Sequence, residues 1–162
     1  MTSNINGMLL TLYNLWVKAV SCLRSPLLLA IRLYWGWQFY VAGHGKLMNL
    51  DKTAGFFENL HIPHPHLNAI LAGSTECFGG LLLLLGLGAR IVTIPLIFTM
   101  IIAYVTAESD ALHAIFSDPD KFVTAAPFEF MLAAIIVLIF GPGKLSCDWL
   151  VGKKFSSKPA KV

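Results

Sequence analysis

Three ionisable side chains stand inside apolar stretches. Arg32 lies about six residues into the first long run, Glu76 near the middle of the second, and Glu129 in the outer part of the last. A charge within a bilayer costs several kcal/mol unless it is paired or hydrated, so each marks a candidate functional position. Gln38 adds an uncharged polar group to the first run. If the three charges meet, one guanidinium faces two carboxyl groups. Full ionisation then leaves net negative charge in a low dielectric. Either one carboxyl stays protonated, or a proton, a cation or a polar ligand joins the cluster. Three readings stay open: a buried ion pair that fixes helix register, a site for a quinone head group or a proton-coupled redox step, or another ligand or transport role. No residue is assigned a catalytic role.

A second constellation is His61-Ile62-Pro63-His64-Pro65-His66. Neutral imidazole is a good ligand for copper, zinc or nickel, which makes His61, His64 and His66 candidate metal ligands. Against this, the prolines favour an extended backbone that separates the rings. The alternative is a proline-stiffened polar turn. Cys22, Cys77 and Cys147 are far apart, with no CxxC pair and no disulfide framework. Cys77 sits among apolar residues, where a thiol is normally inert.

The elements that must position these groups follow from composition. The 162 residues are 56% hydrophobic and only 13% charged, with a mean hydropathy of +0.69. A soluble domain carries about 25% charged residues, so this is a single membrane domain and not a soluble enzyme. A net charge of +3 without a basic cluster excludes nucleic-acid binding. Spans of ~20 apolar residues are expected. Four segments qualify: about Pro26–Leu47, Leu67–Leu87, Ile91–Ala107 and Pro127–Phe140. The last can begin as early as Pro119, where Asp118 reads as an N-cap before proline. The apolar but short stretch Leu9–Leu23 carries Lys18 and reads as an amphipathic helix on the membrane surface, broken from the first span by Pro26. The expected fold is therefore an all-α integral membrane four-helix bundle. Its parts are an interfacial segment (1–25), a transmembrane domain (26–150) and a basic tail (151–162).

With four spans, eight lysines and arginines fall on the side of the termini and three on the other. That bias predicts both termini in the cytoplasm. On a helical wheel Arg32, Gly36, Phe39, Gly43 and Lys46 share one face, as do Ala69, Gly73, Glu76 and Gly80. Small residues beside each charge let another helix approach closely. At the far end, Gly141 can stop the last helix and Pro142 blocks its continuation. Gly143 follows, and Ser146 or Asp148 can cap what comes next.

The ordered combination resembles the DoxX family of small four-helix bacterial membrane proteins. It comprises Arg32, the Gly43-His44-Gly45-Lys46 helix end, Glu76, the glycine-leucine run from Gly79 to Gly88 with Arg90, and the closing Gly141-Pro142-Gly143-Lys144-Leu145-Ser146 with Asp148. The resemblance implies a bacterial inner-membrane protein associated with quinone-linked oxidoreduction, as in the small membrane subunit of a thiosulfate:quinone oxidoreductase, or with redox-stress complexes. It also implies a quinone as candidate cofactor, and an oxidoreductase subunit or a second copy of the chain as partner, beside the lipid bilayer. No haem-attachment or dinucleotide-binding motif is present, so an accessory subunit is expected rather than a stand-alone enzyme. The alternatives are an accessory protein of copper, zinc or redox-stress homeostasis, and a purely structural membrane subunit.

Overall fold

The computed structural model describes residues 2–156, with side chains from 9 to 154. The described residues form helices and turns, with no strand. The elements are α1 (Thr2–Cys22), α2 (Arg24–Met48), α3 (Leu50–Asn59), α4 (Pro65–Leu85), α5 (Ala89–Thr106), α6 (Ser109–His113), α7 (Pro119–Thr124), α8 (Ala126–Phe140) and α9 (Cys147–Ser156). Glycine and proline set most of the boundaries. Pro65 opens α4, and left-handed Gly86 closes it by donating its N–H to Leu82 and Leu83 carbonyls. Gly141, with φ +76°, ends α8. The Asp118 carboxylate accepts from the Lys121 N–H and caps α7, as its place before Pro119 predicts.

Three runs are long and apolar enough to cross a bilayer: Leu9–Met48, Pro65–Leu85 and Ala89–Thr106. The fourth expected span, α8, has 15 residues, or about 22 Å against ~30 Å of hydrocarbon. It does not extend back to Pro119. Ala125 is extended (ψ 136°) and separates α7 from α8, with Pro127 in the first turn of the new helix. Pro26 does not break the chain as expected. It sits in the first turn of α2, where a missing N–H costs nothing. The interruption is one residue, Leu23, whose backbone stays in the right-handed helical region and whose N–H reaches back to Val20 O. The side chains described on α1 are exposed on every side, so among the described residues no other element buries it. Residues 157–162, the end of the expected basic tail, lie outside the described residues.

The bundle is built from two tight helix pairs. In the first, α2 and α4 run antiparallel with glycine against glycine. A Cβ on Gly43 would collide with the backbone of Cys77 and lie 2.6 Å from the Gly73 carbonyl, and one on Gly80 would lie 2.7 Å from the Gly36 carbonyl. Both pairs obey one register and lie seven positions apart on each helix, so this spacing holds the two backbones in contact over two turns. The buried face of α2 is Leu28, Arg32, Gly36, Phe39 and Gly43, the stripe read from the sequence with Lys46 at its end. In the second pair, α5 packs on α8. Phe39, Leu83, Leu96, Met100 and Val137 join the two pairs in a common core.

Candidate functional site

Among the described residues, the hydrogen bonds that fasten the two pairs to each other gather at one end. At that end three arginines converge on the carbonyl-rich C-terminus of α8 and the loop after it. Arg24 donates to Phe140 O (2.8 Å), and Arg90 to Ile139 O (3.3 Å). Arg32, 1% exposed, donates to Pro142 O (2.5 Å) and Leu145 O (2.9 Å). Carbonyls at a helix C-terminus have no intrahelical donors and carry partial negative charge, so cations stabilise them. The opposite pole is handled by Asp148. Its carboxylate accepts from Gly88 N (2.7 Å) and Ala89 N (3.0 Å) at the start of α5, and its own N–H reaches Gly86 O. Ser146 bridges Gly143 O and Trp149 N, and so caps α9. Gly141, Pro142, Gly143, Ser146 and Asp148 therefore act as a latch between α2, α4, α5 and α8.

At the other end the pairs diverge. α4 and α5 touch where Gly79 meets Leu96, then part on the side of Thr75 and Phe98. The space between them is a cavity of about 580 Å³, the size of a typical small-molecule site. Its walls are almost wholly apolar and come from α2 to α5 and α8, with the Ile62 turn beside them. Phe130 lines it and packs edge-on against Phe39 (4.8 Å) and Trp35 (5.0 Å). Leu71, Phe98 and Ile102 line the cavity and are nonetheless exposed, so it opens sideways between α4 and α5. Pro95, inside α5, lies in this wall and leaves the preceding turn one donor short.

One ion pair faces this greasy space. Lys46 donates to the Glu76 carboxylate, and the Glu76 side chain is only 4% exposed against 30% for Lys46. The expected meeting of Arg32, Glu76 and Glu129 does not occur. The α2–α4 register puts Arg32 about eight residues, roughly 12 Å along the axis, from the level of Glu76. Side chains on a helix also lean toward its N-terminus. On antiparallel helices this turns Lys46 and Glu76 toward each other, while Arg32 leans away, into the latch. Glu129, in the first turn of α8, is exposed and makes no ion pair among the described residues. Cys77 is buried where α2 crosses α4.

The histidine turn is also not as expected. It is no extended spacer, because His61 and His64 take left-handed φ values of +58° and +47°. The rings of His61, His64 and His66 are exposed. Among the described residues no three of His, Cys, Asp and Glu gather as a metal-holding group.

Residues 27–109 match the DoxX family model. The chain belongs to the DoxX family. An uncharacterized membrane protein of Mycobacterium tuberculosis is 30% identical over 90% of this chain and 94% of its own length. A Bacillus subtilis protein named "Putative oxidoreductase CatD" is 29% identical over 78% of this chain and 89% of its own. No solved structure matches. The DoxX match takes in Arg32, Lys46 and Glu76, and ends at the start of α6, before the latch loop. Lys46 is the site residue that sequence reasoning missed. Its sequence position puts it on the Arg32 face of α2 but at the helix end, where a lysine reads as a loop cation. The signal was available in the matching seven-residue glycine spacing of α2 and α4.

Proposed function

We propose that this DoxX protein is an inner-membrane subunit that holds a quinone or quinol for a partner oxidoreductase, without carrying the electrons itself. The observation that supports it is an apolar, laterally open cavity with one Lys–Glu pair in its wall, the carboxylate buried. An isoprenoid quinone is an apolar body with two polar oxygens, soluble in lipid and able to arrive between α4 and α5. The Lys46 ammonium is a donor for a quinone oxygen, and the Glu76 carboxylate an acceptor for a quinol hydroxyl. The oxidoreductase name of the Bacillus relative agrees with this reading. The head group is oriented by Lys46 and Glu76, and Arg32 is structural. Both termini and the latch face the cytoplasm, as the lysine and arginine bias favours. The run Leu9–Met48 is about 60 Å long, twice the hydrocarbon core, so α1 lies along the membrane surface while α2 crosses.

The test is binding of a short-tailed ubiquinone or menaquinone analogue to the purified protein in nanodiscs, read by quenching of its tryptophans. Saturable binding that weakens at least tenfold in Glu76→Gln is expected. Absence of saturable binding to the unaltered protein, or identical binding by the variant, rejects the proposal.

A further inference from the structure

Where α2 turns into α3 the surface bears a second, open hollow of about 460 Å³, whose lining includes Lys46, Asn49, Lys52, Thr53, Phe56 and Phe57. It adjoins the cavity, since Lys46, Phe56 and Phe57 line both. Its polar wall is fixed internally. The Asn49 amide donates to Gly45 O (3.0 Å), and the Thr53 hydroxyl is shared between Asn49 O (3.0 Å) and Lys46 O (3.3 Å). Its charge is unbalanced. Lys46 is matched by Glu76, whereas Lys52 has no hydrogen-bond or ion-pair partner among the described residues. Asp51, the neighbour of Lys52, does not line the hollow. The level also matters. The 25 residues of α2 are about 37 Å long, so its last turn, with Lys46, reaches beyond the ~30 Å hydrocarbon into the headgroup layer.

We propose that this hollow seats the phosphate of an anionic phospholipid, with the acyl chains running past half-exposed Phe56 into the bilayer. One surplus cation with two adjacent ammonium groups suits a single negative phosphodiester. A zwitterionic lipid brings its own cation to the same place and gains less. The two sites share Lys46, but the lipid preference is set by Lys52 and the quinone site by Glu76, so the failure of one reading is distinguishable from that of the other.

Native mass spectrometry of the detergent-solubilised protein, offered equal amounts of phosphatidylglycerol and phosphatidylcholine with identical chains, tests this. Phosphatidylglycerol is expected to be retained about fivefold over phosphatidylcholine, the effect of one lysine at a membrane surface. Lys52→Gln abolishes the preference, Lys52→Arg keeps it, and millimolar inorganic phosphate leaves it unchanged. Lys52 is exposed, so these variants fold. Equal retention of both lipids, or an undiminished preference in Lys52→Gln, overturns the proposal. Displacement of the lipid by free phosphate overturns it too, in favour of a small-oxyanion site.

Discussion

The turn between α4 and α5 and the turn between α3 and α4 reverse the chain at opposite ends of the same helix, and they do it with different residues. The first places Gly86 and Gly88 at φ +67° and +57°, where glycine is unstrained, and the Asp148 carboxylate then caps the exposed N–H groups of Gly88 and Ala89. The second places His61 and His64 at nearly the same angles, where a side chain costs about 1–2 kcal/mol. Helix packing differs in the same sense. The latch end holds four helices together through three guanidinium groups and one carboxylate, while the far end keeps α4 and α5 apart around a cavity. Hydrogen bonding is spent where the molecule must be rigid. The end that is strained and incompletely filled is the one where we propose that a ligand binds.

That contrast is broken most forcefully from the latch. Arg32→Met strips donors from the Pro142 and Leu145 carbonyls in a buried place and is expected to destabilise the fold by about 3–5 kcal/mol. Thermal unfolding in detergent measures it. Lys46→Met comes next. It leaves the Glu76 carboxylate buried without a partner, for a loss of about 3 kcal/mol, and the double variant Lys46→Met/Glu76→Gln recovers most of it. A double-mutant cycle by chemical denaturation reads this coupling. Asp148→Ala removes the cap from α5 and is expected to cost about 1–2 kcal/mol, with faster amide exchange at Gly88 and Ala89. The smallest effect has the opposite sign. His64→Gly relieves the left-handed residue and stabilises the protein by about 1 kcal/mol, whereas Gly86→Ala destabilises it.

Much of this organisation was legible in the sequence. Apolar runs gave α2, α4, α5 and α8 to within a few residues, because a bilayer demands long apolar helices whatever their packing. The buried face of α2 was legible as well, since small residues on a charged stripe have few other uses in a membrane. What the sequence reading lacked was pairing. Arg32 and Glu76 share a helix pair but not a level, and only the antiparallel glycine register shows that Lys46 rather than Arg32 comes within reach of Glu76. The latch was half visible. Gly141 and Pro142 stop a helix as expected, but the capping of α5 by Asp148 joins residues about sixty positions apart and leaves no local pattern. Glu129 misled because a carboxylate one turn into a short helix, near the end of the bundle, can stay exposed.

Photolabelling with an azido-quinone tests most directly whether the open end is the ligand site. Peptide mapping is expected to place the adducts on α4 and α5 around Leu71, Thr75, Phe98 and Ile102, with labelling lost in Glu76→Gln. Adducts clustered instead on the loop from Gly141 to Asp148 and on Arg32 would contradict the assignment of binding to one end and rigidity to the other.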